Sequence, residues 1–358
     1  MSFGARALIR LGALKHNLGV IRSTCPDARL MAVVKANAYG HGLLAVAQSL
    51  PDVDAFAVAR LPEALLLRDA GISKPIVLLA GVLAEDELAA AIEHGFEIVA
   101  HCHEQIALLE ACKTGKAVVW LKFDSGMNRL GFDPDESATL IPRLKKCPAV
   151  AELRLMSHLA SADERANPGT QVQLDRFRRL AAGFDGEISI ANSPAALGWP
   201  GLAGRNWVRT GIALYGVSPF EGQTGSQLGL KPVMQFEARL IAVKPLRKGA
   251  RVGYKGRYTA AADSTLGIIS AGYGDGYMRQ FRNGTPVLIN GRRVGLIGHV
   301  SMDMIAVDLG QGGSDRVGDV ATLWGPHLPV EEVAPWAGAI PYELICGVMN
   351  REASEIVD

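Results

Sequence analysis

The stretch MAVVKANAYGHG occupies residues 31–42. Its opening residues Met31, Ala32, Val33 and Val34 are apolar and partly β-branched. That is the composition of a strand buried on both faces, as in a parallel sheet. Lys35 ends the run. An ammonium at the end of a buried strand is costly unless it has a task. Burial that lowers its pKa turns it into a nucleophile toward carbonyls, which is Schiff-base chemistry. The plainer reading is that Lys35 caps the strand and extends its charge to solvent. Asn37, Tyr39, Gly40, His41 and Gly42 follow as a dense polar loop and favour the first reading.

Similar apolar runs recur at 53–59, 75–80, 96–100, 117–123, 151–157, 187–191 and 207–215. Segments of helical length separate most of them. One is 62–70, with Pro62 and Glu63 at its start and Gly71 after it; another is 84–94, with Glu85, Asp86 and Glu87 in the first turn. Eight strands alternating with helices over about 200 residues predict a (β/α)8 barrel. A doubly wound open sheet is the rival. In a barrel, the C-terminal strand ends carry the chemistry, and Lys35 sits at one.

The texture changes near residue 220. EGQTGSQLGL at 221–230 is a polar, glycine-rich connection. Beyond it come short strands at 233–244, 251–254, 265–271, 286–289, 292–297, 302–308 and 319–324, with Asn290-Gly291 as a hairpin signal. The expected division is a barrel over 1–225 and a mainly β domain over 226–358.

The formal net charge is +1, which gives no field for holding a polyanion, so a nucleic-acid partner is not expected. The five cysteines are odd in number and scattered, which fits a reducing compartment. No secretory signal is read at the N-terminus, and no apolar run reaches the ~18 residues of a membrane span. A cytoplasmic location is expected. His101, Cys102 and His103 have no second cluster to complete a metal site.

The string VVKANAYGHG at 33–42 resembles the pyridoxal-phosphate lysine signature of the alanine racemase family, enzymes of fold type III. KFDSGMNRLG at 122–131, SHLASADE at 157–164, ANSPA at 191–195 and VRTGIALYG at 208–216 resemble later strand ends of that family. VGYKGRYTA at 252–260, GYGDGY at 272–277 and SMDM at 301–304 fit its second domain.

The resemblance implies an isomerase that interconverts L- and D-alanine through a two-base mechanism on pyridoxal 5'-phosphate. It implies that Lys35 holds the cofactor and exchanges the proton on one face of Cα, and that Tyr254 is the base on the other. It places His158 and Arg209 behind Tyr254, with Arg209 also facing the pyridine nitrogen. An arginine there offers no proton it can give up, which leaves the ring a weaker electron sink. The phosphate falls to Tyr39, Asn192, Ser193, Gly211 and Ile212, in the last strand loops where barrels commonly hold one. Arg129 is matched to the cofactor's phenolic oxygen and the substrate carboxylate. Lys122 is matched to a lysine that is carbamylated in many members, Tyr273 to an entryway tyrosine, and Met302 and Asp303 to residues near the substrate carboxylate. Tyr254 and its neighbours would come from the other subunit of a homodimer with shared sites.

Two departures stand out. Asn350 occupies the place of a tyrosine that shapes the substrate channel, and Thr210 stands where proline is common. The first leaves room for a racemase of broader specificity, acting on serine or basic amino acids. A fold-type III decarboxylase is disfavoured by Arg209, and a non-catalytic pyridoxal-phosphate carrier by the extra β domain. Cell-wall supply of D-alanine and catabolism of L-alanine are not distinguished by sequence.

Overall fold

The structure is a computed structural model that describes residues 3–199, 206–348, 351 and 354–357. Strand β1 (Arg6–Arg10) comes first. Then β2 (Arg29–Val33), β3 (Ala55–Val58), β4 (Ile76–Leu78), β5 (Glu97–Ala100), β6 (Ala117–Lys122), β7 (Val150–Met156), β8 (Ile188–Ser189) and β9 (Trp207–Thr210) alternate with helices. These eight close into a parallel barrel, β9 returning to β2 with Met31 opposite Arg209. Each apolar run read from the sequence contributes one barrel strand, and the open-sheet rival falls.

The remaining strands are β10 (Met234–Leu246), β11 (Arg251–Val252), β12 (Tyr258–Thr259), β13 (Ser264–Ile269), β14 (Pro286–Ile289), β15 (Arg292–Ile297), β16 (Ile305–Gly310), β17 (Val320–Trp324) and β18 (Glu355–Val357). Asn290 and Gly291 both have positive φ, 48° and 75°, between Ile289 and its partner Arg292. That is the two-residue hairpin the dipeptide predicts.

An eight-stranded sheet orders seven of these with β1 as β13-β16-β15-β14-β17-β10-β1-β18, while β11 and β12 pair in a separate two-stranded sheet. β1 therefore lies in the second sheet, although the expected division places its residues with the barrel. It pairs antiparallel with β10 (Arg6 opposite Glu237) and parallel with β18 (Leu8 opposite Glu355). Its sequence explains the placement. RALIR buries Ala7 and Ile9 and leaves the alternate residues half-buried, the pattern of a strand with one wet face. No helix among the described residues is long and apolar enough to cross a membrane.

The barrel interior is filled in layers. Lys122, Met156 and Arg209 line the cavity at the barrel mouth. Side chains alternate along a strand, so Trp120, Arg154 and Trp207, each two residues earlier, share that inward face one layer down. There the Arg154 guanidinium lies 5.2 Å from the Trp120 ring centroid and 5.7 Å from that of Trp207. It pairs with Glu97 at 3.1 Å and Glu187 at 3.0 Å. The two indole N–H groups donate to the same carboxylates, Trp120 to Glu97 at 2.6 Å and Trp207 to Glu187 at 2.7 Å. Every charge in this plug has a partner, which is the condition for burying it.

Arg154→Met would leave Glu97, 6% exposed, as an uncompensated buried carboxylate. The expected loss is about 3–5 kcal/mol of folding free energy, read by urea denaturation. Adding Glu97→Leu should recover part of it. A single variant within about 0.5 kcal/mol of the parent, the usual range of surface changes, would show that the plug is not needed.

Candidate active site

The mouth of the barrel opens into a cavity of about 1160 Å³. Lys35 enters it two residues beyond the end of β2. The backbone then does something unusual. Ala36, Asn37, Ala38 and Tyr39 all have φ of 53–54°, one turn of left-handed helix without a glycine. Such a turn costs about 1–2 kcal/mol per residue and persists only where its surroundings hold it. Ala38 N–H donates to Val34 at 2.8 Å, Gly40 to Ala36 at 3.0 Å and Gly42 to Asn37 at 3.0 Å. The Asn37 side chain accepts from Leu43 N–H, and Glu63 accepts from Ala36 N–H at 2.7 Å. Gly40 ends the turn at φ 81°, and a Cβ there would collide with the Ile345 carbonyl. The second domain thus presses on the turn that carries Lys35.

The strand ends opposite supply a cradle of small groups and donors. Ser193 Oγ accepts from Gly211 N–H at 2.9 Å and more weakly from Ala213 N–H at 3.4 Å. A Cβ on Gly211 would stand 2.7 Å from Tyr39 Oη and 3.9 Å from Ser193 Oγ. Two hydroxyls and two backbone amides therefore meet at one point, from three strand ends. Ile212 is buried beside them. Asn192 borders the same cavity and has a further part. Its side-chain carbonyl accepts from Ala195 N–H at 3.2 Å, so it caps the short helix that presents Ser193.

Cations line the rest of the mouth. Arg209 is buried and donates to Ser189 Oγ at 2.6 Å, the Ser157 carbonyl at 2.8 Å and His158 Nδ1 at 3.0 Å. An arginine only donates, so His158 Nδ1 is the unprotonated ring nitrogen. Burial, reinforced by Arg209 and Lys122, drives the His158 pKa well below its ordinary value, so the ring is neutral. Gln173 holds this loop, donating to the His158 carbonyl at 3.0 Å and accepting from Ala160 N–H at 2.8 Å. Burial and then Arg209 and Arg129 push Lys122 down to about 8. Lys35 is lowered too, by burial first and the nearby Arg129 second. The loop bearing Arg129 is wound around Asp124. Its carboxylate accepts from Gly126 and Met127 N–H, each at 2.8 Å, and from Arg129 N–H at 3.1 Å.

This donor set fits pyridoxal phosphate: an amine of lowered pKa for the aldehyde, a cradle for the phosphate and a fixed guanidinium on the cavity wall. Lys35, Tyr39, Lys122, Arg129, His158, Asn192, Ser193, Arg209, Gly211 and Ile212 all border the one cavity. Tyr254, Tyr273 and Met302 do not. They are 69%, 40% and 52% exposed on loops of the second domain. Those loops are joined: Tyr273 N–H donates to the Ser301 carbonyl and Gly274 N–H to that of Met302, both at 2.9 Å. Asp303 pairs with Arg351 at 2.7 Å. Asn350 lies outside the described residues. Sequence reasoning missed Tyr342 and Cys346, which border the cavity from the helix Pro341–Cys346. Nothing in that apolar stretch marks it as part of a barrel site.

The sequence matches the family description "Alanine racemase, N-terminal domain" over residues 9–219 and "Alanine racemase, C-terminal domain" over 233–356. The chain belongs to the alanine racemase family. It is 48% identical over 353 residues to an alanine racemase of Vibrio parahaemolyticus, covering 98% of each chain. Its fold is similar to that of the biosynthetic alanine racemase from Pseudomonas aeruginosa, with a TM-score of 0.96, 42% identity and full coverage of both chains. The alanine racemase from Acinetobacter baumannii follows with a TM-score of 0.93, 37% identity and coverage of 99% of this chain and 100% of that one.

For this alanine racemase family member, Gly211→Ala places a methyl group against Tyr39 Oη in the cradle. Affinity for pyridoxal phosphate should fall by about tenfold or more, equivalent to roughly 1.4 kcal/mol. Affinity for pyridoxal, which lacks the phosphate, should move far less. Equilibrium dialysis of both ligands checks this, and an equal loss for both would remove Gly211 from the phosphate site.

Proposed function

We propose that the chain interconverts L-alanine and D-alanine with pyridoxal 5'-phosphate, as a cytoplasmic homodimer with shared sites. The observation that carries this reading is the convergence of Lys35, the Tyr39–Ser193–Gly211 cradle and Arg209 on one cavity, in a chain of this family.

When bound, pyridoxal phosphate supplies an electron sink that acidifies the Cα–H of an attached amino acid. Lys35 holds it through Nζ. Burial and then Arg129 lower the pKa of Lys35, which favours its free amine, so that same atom, once released, takes or returns a proton at Cα. Tyr39, Ser193 and the amides of Gly211 and Ile212 hold the phosphate, and Asn192 braces the helix that carries Ser193. Arg209 keeps its protons and gives none to a ring nitrogen, which favours rapid return of the proton over side reactions. Arg129 receives the substrate carboxylate.

A second base is required on the opposite face. Within one chain, Tyr254 stands outside the cavity, exposed together with Tyr273 and Met302. This supports an arrangement in which a second copy of the chain inserts them over the mouth. Tyr254 then works from its phenolic oxygen, beside the hydrogen-bonded pair of His158 and Arg209. Met302, Asp303 and Tyr273 would narrow the approach to the site. Lys122, with its pKa near 8, offers a free amine to carbon dioxide. The N–C bond forms, a proton leaves, and the resulting carbamate holds Arg129 in place.

Chiral chromatography after incubation with L-alanine, L-serine or L-lysine tests the substrate. D-alanine should form fastest. Faster turnover of serine or lysine would overturn the substrate, and no turnover of any would overturn the activity. Tyr254→Phe should slow racemisation about a hundredfold or more, within the usual range for loss of an acid–base group. Solvent-deuterium exchange at Cα should survive from one enantiomer only. Exchange that survives equally from both would contradict two bases on opposite faces.

A further inference from the structure

His41 belongs to the same string as Lys35 and Tyr39, but nothing above gives it a task. It does not border the large cavity. It is fully buried behind it, 1% exposed. Its Nδ1 faces two carbonyl oxygens, Tyr39 at 2.8 Å and Ala38 at 3.0 Å. A carbonyl can only accept, so Nδ1 carries the proton. Nε2 is then a bare lone pair, buried and without a partner among the described protein groups. Burial, against the two carbonyls, pulls the pKa down to about 4, so the ring stays neutral in this one tautomer.

The two carbonyls belong to the left-handed turn. That turn breaks the ordinary right-handed pattern, and His41 supplies a donor where the turn comes back on itself. The ring also continues a stack. His41 lies on Tyr215 with centroids 4.6 Å apart, and Tyr215 lies on Tyr39 at 4.8 Å. Tyr215 Oη donates to the Val33 carbonyl at 2.9 Å, which ties the stack to the end of β2. On its far side His41 meets a gap of about 10 Å³ bordered by Trp324, Met234 and Ile345 of the second domain. So His41 grips the strained turn from below, and the Tyr39 hydroxyl stands at the cradle above.

We infer that His41 is the positioning residue of the phosphate site: its Nδ1–H and its stack on Tyr215 hold the left-handed turn so that Tyr39 Oη meets the phosphate beside Ser193 and Gly211. The inference rests on the cofactor reading proposed above. It makes His41 a determinant of phosphate affinity without contact with the ligand.

The test compares His41→Phe, which keeps the stacked ring and loses the donor, with His41→Asn, whose amide restores a donor near the Nδ1 position. Each full-length protein is stripped of cofactor and titrated with pyridoxal phosphate and with pyridoxal, following visible absorbance. His41→Phe should lose about tenfold or more in affinity for the phosphorylated ligand and less than about threefold for pyridoxal. His41→Asn should recover most of that loss. Equal weakening of both ligands, or no recovery with asparagine, would assign His41 a general packing role and overturn the inference. Should His41→Phe fail to fold, His41→Gln, which carries its amide at the Nε2 position, is titrated in its place with the same outcomes. Wild-type protein that binds neither ligand overturns the cofactor reading and this inference together. Wild-type binding with phosphate affinity unmoved in the variant overturns this inference alone.

Discussion

The site depends on a guanidinium that never reaches it. Arg154, in contact with the rings of Trp120 and Trp207 and paired with Glu97 and Glu187, closes the barrel one layer below the mouth. A barrel of eight strands has an interior just wide enough to fill with side chains. Once this layer is filled in a fixed arrangement, strand periodicity decides what lies above. Lys122, Met156 and Arg209 follow Trp120, Arg154 and Trp207 at two residues' distance. They face the mouth because their neighbours face the plug. A slip of one residue in any of these strands would turn both layers outward together.

Just above the plug, cations gather at the strand ends. Lys35, Lys122, Arg129 and Arg209 surround one space; beyond burial, Arg129 and Arg209 lower the pKa of both amines, and Lys35 lowers that of Lys122. Burial is the first cause of both shifts, and the shared sign of the neighbouring cations makes this part of the cavity a receptor for anions. A phosphate and a carboxylate are the ligands that relieve it. Burial, reinforced by the same field, keeps His158 neutral, so Arg209 and His158 act as a fixed donor–acceptor pair. The left-handed turn adds a mechanical requirement. It sets Lys35 and Tyr39 on the same short segment, and its shape relies on Gly40 yielding to the Ile345 carbonyl of the second domain. Cofactor site and domain contact are therefore two sides of one peptide segment.

Much of this was legible in the sequence. Buried parallel strands have a continuous apolar texture, and all eight appear where that texture occurs. The hairpin at Asn290-Gly291 announces itself because few residues accept two positive φ angles in a row. Lys35, Arg209 and Ser193 stand at strand ends, where a barrel must place its chemistry. Other features left no local mark. The alternating RALIR could belong to any half-exposed strand, so its membership in the second sheet is set by partners far along the chain. The left-handed turn is built from two alanines, an asparagine and a tyrosine, of which only the asparagine has a leaning toward it; long-range contacts impose it. Asn192 borders the cavity as its position implies, and its carbonyl also caps a helix, a duty that position alone does not show. Tyr342 and Cys346 reach the site only because the helix at 341–346 packs on the turn.

The pairing of β1 with β10 and β18 has a further consequence. Arg6 meets Glu237 on one side and Glu355 on the other, the latter 349 residues away. The barrel is thus threaded between two neighbouring strands of one sheet, like a bead held on a loop of string. During synthesis the barrel strands emerge before β10, and β18 emerges after every other strand of the sheet. The eight-stranded sheet, one of whose loops carries Tyr273, reaches its full width only after β18 has left the ribosome. A nascent barrel would have its lysine long before it had the surface that covers it.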